Sequence, residues 1–237
     1  MLLFYAPNIA LTPQLPDPEV QHCLKVLRMK TGDVVHVTDG AGNFYKAAIA
    51  GTNPKDCRLN ILETIPQPSA WKGRITIAIA PAKNMERTEW FAEKATEIGV
   101  DKIAFLHCRF SERKDVKTDR IGKILVAAMK QSLKARLPEL QAMVGFKQFI
   151  TQAYDGQKFI AHCRPGEKTL LSKAYHAGES ALTLVGPEGD FSEEEIALAV
   201  NRGFIPVSLG ESRLRTETAA LIACQTIHIV NQIAGNE

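Results

Sequence analysis

The sequence has few cysteines and no long hydrophobic run. Its apolar stretches fall short of the roughly 20 residues that a membrane helix needs, and its first residues lack the basic segment of a signal peptide. The five cysteines are scattered without a C-x-x-C pair, which argues against a disulfide framework and against structural zinc. These absences predict a cytoplasmic protein with reduced thiols, no membrane partner and no metal.

Two of the cysteines directly follow histidines, in His107-Cys108 and His162-Cys163. Adjacent side chains do not converge on one metal ion as ligands at wider spacings do. Both pairs come at the ends of predicted strands. We therefore interpret them as packed strand ends.

A strong excess of one charge is also absent, since the net charge is only +3. The charge is nevertheless uneven: residues 102–136 contain ten Lys and Arg against three Asp and Glu, and residues 137–237 contain eight against twelve. A concentrated basic segment is typical of a surface that binds nucleic acid. A solvated helix face gives the same pattern, so composition leaves both interpretations open.

The sequence pattern predicts two domains. In residues 1–70, alternating apolar residues flank an Asp39-Gly40 turn, which is a hairpin signature and favours a small β-barrel-like domain. The stretch at 66–73 is rich in proline and small residues and marks a boundary. Over residues 71–237 strands alternate with helices, which predicts an α/β layer fold.

Helical periodicity is clear in residues 86–100. Trp90, Phe91, Ala95 and Ile98 recur there at helical spacing, and we expect them to form the buried stripe of a helix.

The most informative segment is ALTLVGPEGDFSEEE, residues 181–195. A buried strand leads into the glycine loop at 186–190, and Ser192 with Glu195 then fits the capping box of a helix. The loop has neither the lysine of a P-loop nor a G-x-G-x-x-G fingerprint. Its carboxylates, Glu188 and Asp190, would repel phosphate and suit a ligand with cationic groups, such as S-adenosylmethionine. Alternatively, the glycines simply let the backbone approach an adenine or a sugar.

A second strand–glycine–helix segment is IPVSLGESRLRTETAAL, residues 205–221. Thr216 is the predicted N-cap of the helix, which places Glu217 in the favourable first turn. Arg213 and Arg215 come just before the helix, where the dipole disfavours cations. We therefore interpret both arginines as functional.

Several separated motifs make this chain resemble the RsmE family, the 16S ribosomal RNA uracil-N3 methyltransferases of the knotted SPOUT class. The two glycine segments are similar to the family signature. HCLKVLRMKTGD, WFAEKATEIGV, FSERK and KQSLKARLPEL are similar to further family motifs and occur in the family's order.

The resemblance implies a PUA-like N-terminal β-barrel that binds RNA and a C-terminal SPOUT trefoil-knot domain with a mainly parallel sheet. It also implies a homodimer that acts on 16S rRNA or the small ribosomal subunit. Three loops would hold S-adenosylmethionine, the third of them following the strand at 158–162. The implied cofactor-binding residues are Gly186, Pro187, Glu188, Gly189, Leu209, Gly210, Leu214, Arg215 and Thr216.

The chain departs from the family pattern at several positions. Asp190 stands where the family usually has a second glycine. Lys130 and Lys134 replace the usual Glu and Arg of the Q-S motif, which keeps or raises the positive charge but loses bidentate phosphate contacts. The arginine often seen near the N-terminus of the family is missing.

Methylating uracil N3 requires removal of a weakly acidic proton, which spreads negative charge over two carbonyl oxygens. We predict that Arg215 stabilises this charge and that Glu217 or Glu188 is the base. Each glutamate also has a structural interpretation, helix capping for Glu217 and loop shaping for Glu188. Candidate rRNA contacts are Arg28, Lys94, Arg113, Lys134 and Arg136. Two alternatives stay open: methylation of a ribose 2′-hydroxyl, or a non-catalytic RNA-binding or ribosome-assembly protein.

Overall fold

The computed structural model describes residues 2–53 and 57–235. The chain forms two compact units, each with its own hydrophobic core. The first contains residues 1–70 and 126–137, and the second contains residues 71–125 and 138–237. The later segment of the first unit was not foreseen, since it lies far along the sequence from residue 70.

The first unit contains a four-stranded sheet in the order β1-β2-β3-β4. The strand β1 runs parallel to β2, and the other neighbours are antiparallel. The predicted hairpin is confirmed, because β2 and β3 pair on either side of Asp39, whose carboxylate accepts hydrogen bonds from the amides of Ala41 and Asn43. The elements are β1 (Leu3–Tyr5), α1 (Asp17–Val20) with a following π-helical turn (Gln21–Val26), β2 (Val34–Thr38), β3 (Asn43–Ile49) and β4 (Leu59–Pro66).

The second unit is an α/β layer around a seven-stranded parallel sheet in the order β7-β6-β5-β10-β8-β11-β9. The predicted fold class is thereby confirmed, and the trefoil knot that the resemblance implies stays a prediction. The strands are β5 (Ile75–Ile79), β6 (Lys102–His107), β7 (Glu139–Gly145), β8 (Gln157–Ala161), β9 (Thr169–Leu170), β10 (Ala181–Val185) and β11 (Ile205–Ser208).

The helices of this unit connect the parallel strands. The predicted helices after β5, β6, β10 and β11 are all present. None of the helices in the described ranges is both long enough and apolar enough to cross a membrane. The helices are α2 (Met85–Ile98), α3 (Thr118–Gln131, which ends in the first unit), α4 (Phe146–Ile150), α5 (Leu171–Ala174), α6 (Glu193–Asn201) and α7 (Thr216–Ala234).

The predicted buried stripe of α2 is wrong at Trp90, and at its other end Ile98 is only half-buried. Trp90 is 43% exposed, whereas Phe91 and Ala95 are buried as expected. The buried positions recur at spacings of three and four residues, and Trp90 lies one residue, about 100°, away from this stripe. The full set of buried residues is Thr88, Phe91, Ala92, Ala95 and Thr96.

Both predicted helix starts can be compared with the structure. The capping box of α6 is confirmed: Ser192 Oγ accepts from the amide of Glu195 at 3.2 Å, and Glu195 Oε2 accepts from the amide of Ser192 at 2.9 Å. The predicted N-cap of α7 is wrong, because the extended residue is Arg215 and Thr216 is already helical. Glu217 still lies in the first turn, as predicted.

Candidate functional site

The carboxyl ends of three neighbouring parallel strands, β10, β8 and β11, open into one cavity of about 920 Å³. In open α/β sheets, ligands bind at this end of the strands. The cavity is lined by residues 161–165 and 168 after β8, 185–190 after β10, 207–216 and 219 after β11, and Arg87 of α2.

All nine residues that the resemblance implies for the cofactor lie in the wall of this cavity. They come from two loops that are separated in sequence, and the third lining segment follows β8, where the sequence predicted a third loop. The structure brings the predicted cofactor residues together, and their role in binding stays a prediction.

The glycine loop after β10 is closely packed from behind. A Cβ atom at Gly186 would lie 3.1 Å from a ring carbon of Phe191, and one at Gly189 would lie 3.0 Å from the Cβ of Phe110. Glu188 Oε1 accepts a hydrogen bond from the amide of Lys83 at 2.9 Å, which anchors the loop to the segment after β5. The glycines therefore leave room for neighbouring side chains on one face of the loop and expose backbone on the other.

Asp190, the departure from the family pattern, has φ 67°, in the left-handed region that aspartate tolerates better than most residues. Its carboxylate accepts hydrogen bonds from two backbone amides, those of Cys163 and Phe191, each at 2.8 Å. Both carboxylate oxygens of Asp190 are thus engaged by backbone amides of the protein itself.

The loop after β11 presents two arginines without partners. Gly210 has φ 123°, a conformation that only glycine adopts without strain, and Ser208 Oγ accepts from its amide at 3.2 Å. Arg213 and Arg215 are exposed, line the cavity and, within the described residues, form no side-chain hydrogen bond or ion pair. Both guanidinium groups are therefore available to a ligand.

Glu217 does not line the cavity. Its side chain is only 8% exposed, with Oε1 3.8 Å from Nε of Arg87 and Oε2 without a partner. Arg87 does line the cavity, so this ion pair connects the buried carboxylate to the cavity wall. Arg87 was not predicted from the sequence, because nothing in the spacing connects it to a residue 130 positions later.

The structure corrects the interpretation of His162-Cys163 as a packed strand end. Both residues line the cavity, and the Cys163 thiol is exposed. His107-Cys108 fits the expectation better, since Cys108 is buried in the core. In the part of the chain that the structure describes, no group of three or more His, Cys, Asp and Glu residues is placed to hold a metal ion.

Three buried polar atoms at or next to the cavity lack a hydrogen-bond partner. They are His162 Nδ1, Arg164 Nε and Glu217 Oε2. A buried polar atom without a partner costs free energy unless a ligand or water supplies one. The site is therefore built for a polar ligand.

The predicted RNA contacts in the second unit differ in availability. Lys94 Nζ donates to Glu93 and Glu97, each at 2.8 Å, and these bonds raise its pKa. Arg113 Nε donates to the carbonyl of Lys83 at 2.9 Å and leaves its terminal nitrogens open. Arg113 also lines a second cavity of about 640 Å³, whose other basic residues are Lys83, Lys114, Lys117 and Arg120.

The predicted contacts in the first unit are Arg28, Lys134 and Arg136. Arg28 is exposed with φ 54°, and Lys134 is half-buried. Neither side chain has a hydrogen bond or ion pair within the described ranges. Arg136 donates instead to the carbonyls of Ala41 at 3.1 Å and Gln67 at 3.4 Å, which ties segment 126–137 to the sheet of this unit.

A parallel sheet whose strand ends enclose a polar cavity with glycine-rich walls defines a ligand-binding α/β protein. Comparison with known protein families shows which family of such proteins the chain belongs to. The chain belongs to the RNA methyltransferase domain family, whose model matches residues 69–228. A second model, the RNA methyltransferase PUA domain, matches residues 15–62.

Relatives that match nearly the full length of this chain confirm the resemblance to the RsmE family. A solved structure described as a "probable rRNA-methyltransferase" from Porphyromonas gingivalis is 44% identical, with a TM-score of 0.93 over 99% of this chain and 100% of that one. Ribosomal RNA small subunit methyltransferase E from Neisseria gonorrhoeae, solved with S-adenosylmethionine, is 25% identical with a TM-score of 0.83, over 97% of each chain. The Bacillus subtilis protein of the same name is 26% identical over 94% of this chain and 90% of its own length.

His162 predicts a pH dependence of stability. Its burial, followed by the positive charge of Lys168, lowers the pKa of His162 from its usual 6.5. The folded protein therefore binds fewer protons there than the unfolded chain, so stability is lost as the pH falls below about 6.5. Between about pH 7 and pH 5, the free energy of unfolding should fall more steeply for the wild type than for His162→Gln. His176→Gln, at an exposed position, is the matched control, and equal slopes for wild type and His162→Gln would contradict the prediction.

Proposed function

We propose that this protein transfers a methyl group from S-adenosylmethionine to N3 of a specific uridine in the 16S rRNA of the small ribosomal subunit. The observation that carries the proposal is the cavity at the ends of β8, β10 and β11, which is lined by all nine residues that the resemblance implies for the cofactor, in a chain that belongs to an RNA methyltransferase family. The name of the relatives, ribosomal RNA small subunit methyltransferase E, supports the choice of RNA.

The residues of the cavity fit S-adenosylmethionine. The ligand has a carboxylate, an ammonium, a sulfonium and an adenosine. The cavity offers the guanidinium group of Arg213, which has no partner among the described residues, a carboxylate at Glu188, and backbone along two glycine loops, including that of Arg215. When bound, S-adenosylmethionine would supply a methyl group that its sulfonium activates for transfer. Localisation in the cytoplasm agrees with five cysteines that form no disulfide.

The side chains around the cavity have separate tasks in the proposed reaction. Arg215 stabilises the negative charge that develops on the carbonyl oxygens when uracil N3 loses its proton. Of the two candidate bases, Glu188 lines the cavity and has one oxygen engaged by the Lys83 amide, so its other oxygen is free to accept the proton. Glu217 is buried behind Arg87 and positions that arginine.

Arg215→Ala tests the catalytic part of the proposal. Because Arg215 has no partner within the described residues, its loss should leave the fold and the affinity for S-adenosylmethionine, measured by calorimetry, nearly unchanged. Methyl transfer to small-subunit RNA should fall by about 100-fold, the scale expected for removing one stabilising donor. Arg202→Ala, at an exposed position on α6's end, is the control and should retain full activity. Unchanged turnover of Arg215→Ala would remove the role assigned to it.

The first unit is the proposed RNA-binding domain, because a PUA domain model matches its residues 15–62 and because Arg28 and Lys134 have no side-chain partner among the residues that the structure describes. Contacts between cations and phosphates release counterions, which makes affinity depend on salt. Arg28 and Lys134 are better probes than Arg136, whose removal would also break bonds within the unit.

The double variant Arg28→Gln, Lys134→Gln should bind small-subunit RNA more weakly than the wild type. In a plot of log affinity against log salt concentration, its slope should be smaller by about 0.7 for each lost contact. Lys173→Gln, an exposed lysine on α5, is the control and should leave the slope unchanged. If the double variant also keeps the wild-type slope, these two residues do not contact phosphate.

The homodimer that the resemblance implies is supported by the outer face of α7. Ile222, Ile229 and Ile233 are 36%, 43% and 59% exposed and recur at helical spacing on one side of the helix, opposite its buried face. An exposed apolar stripe of this kind marks an interaction surface. We propose that it packs against a second copy of the chain.

Ile229→Asp should therefore weaken the dimer at least about tenfold, since a charge would be buried without a partner. Sedimentation equilibrium measures the dissociation constant directly. Val200→Asp is the matched control, because Val200 on α6 is similarly exposed, at 44%, and lies on another helix. A wild-type monomer, or a dimer that Ile229→Asp does not weaken, would contradict the proposed interface.

A further inference from the structure

Asp190 connects two of the three loops that form the cofactor cavity. One carboxylate oxygen, Oδ1, accepts from the amide of Phe191 next to it in the chain. The other, Oδ2, accepts from the amide of Cys163 in the loop after β8. Both bonds are 2.8 Å long, in the range of charge-assisted hydrogen bonds.

The loop after β8 has a second restraint from its own side. Lys168 Nζ donates to the carbonyls of His162 at 3.3 Å and Arg164 at 2.5 Å, which draws this loop into a compact turn. Lys168 shapes the loop after β8 internally. In the described residues, the bond from the Cys163 amide to Asp190 is the only side-chain hydrogen bond between this loop and the glycine loop. Because residues 161–165 line the cavity, the position of this wall depends on that bond.

The backbone at Asp190 explains why a carboxylate can stand in a glycine loop. At φ 67°, glycine would be free of strain but would provide no acceptor. Asparagine tolerates the same conformation and would provide one acceptor without the charge. Aspartate provides both acceptors at once.

We propose that Asp190 is a positioning residue for the cofactor: its carboxylate holds the loop at 162–168 against the glycine loop, so that both walls are in place before S-adenosylmethionine binds. The proposal rests on the proposed function, because it assigns this cavity to that ligand. Asp190 acts through the two backbones and takes no part in the transfer itself. A wall fixed in advance lowers the entropic cost of binding.

Two substitutions separate the bonds from the backbone conformation. Asp190→Gly keeps the left-handed turn and removes both acceptors, and Asp190→Asn keeps the turn and one acceptor. Asp155→Asn, an exposed aspartate in the loop before β8, is the control for loss of charge. The first readout is amide hydrogen exchange of residues 162–164, which requires neither cofactor nor RNA.

Thiol labelling provides a second measure of the same loop. Cys163 is exposed and the other four cysteines are buried, so a thiol reagent should modify Cys163 alone in the folded protein. Rates are compared at their high-pH plateau, where they report access to the sulfur rather than its ionisation.

For Asp190→Gly, exchange and labelling should each accelerate by about fivefold or more, and the dissociation constant for S-adenosylmethionine should rise about tenfold. The KM for the cofactor should rise with it, whereas kcat at saturating cofactor and the KM for RNA should change less than twofold. Asp190→Asn should fall between Asp190→Gly and the wild type, and Asp155→Asn should match the wild type.

Unchanged exchange in Asp190→Gly would show that the bond to Cys163 does not restrain the loop. A looser loop with unaltered cofactor affinity would show that the restraint does not position the ligand. Either result overturns the proposal. If the wild type itself fails to bind S-adenosylmethionine, the proposed function fails and the positioning role with it, even where exchange confirms the bond between the loops.

Discussion

The site depends on the parallel pairing of β10 with β5 on one side and β8 on the other. Because all these strands run in the same direction, their carboxyl ends lie at one edge of the sheet, and the segments that follow them must meet there. The strand β10 is buried along its whole length, as is its neighbour β5, so its glycine loop emerges from the buried centre of the sheet. The strand β11 pairs on the far side of β8 and adds the loop that carries Arg213 and Arg215.

The carboxylates of the glycine loop accept hydrogen bonds from backbone amides of the protein itself. Glu188 binds the amide of Lys83, and Asp190 binds those of Cys163 and Phe191. Glu195 completes a capping box and also accepts from the amide of Arg109 at 2.9 Å. The carboxylates of this loop therefore hold three backbone segments together, and the exposed arginines of the neighbouring loop line the cavity.

Local signals in the sequence predicted local structure well. Alternation around Asp39-Gly40 gave the hairpin, and the spacing of Ser192 and Glu195 gave the capping box, because each depends on residues a few positions apart. The errors at Trp90 and Thr216 are shifts of one residue, which helical periodicity and cap preference resolve poorly. Motifs led to the candidate cofactor residues at 186–189 and 209–216, and the structure places these residues in the wall of one cavity. Arg87, Arg164 and the pair His162-Cys163 were missed, since they reach the site only through the pairing of β8 with β10 and the packing of α2.

The identity of the methylated atom tests the account most directly. Small ribosomal subunits that lack the modification are incubated with the protein and methyl-tritiated S-adenosylmethionine, and the RNA is digested to nucleosides and separated. The account predicts that the label appears as N3-methyluridine from a single position of 16S rRNA. Label in a 2′-O-methylated nucleoside, or no labelled nucleoside from a protein that binds both ligands, would contradict it.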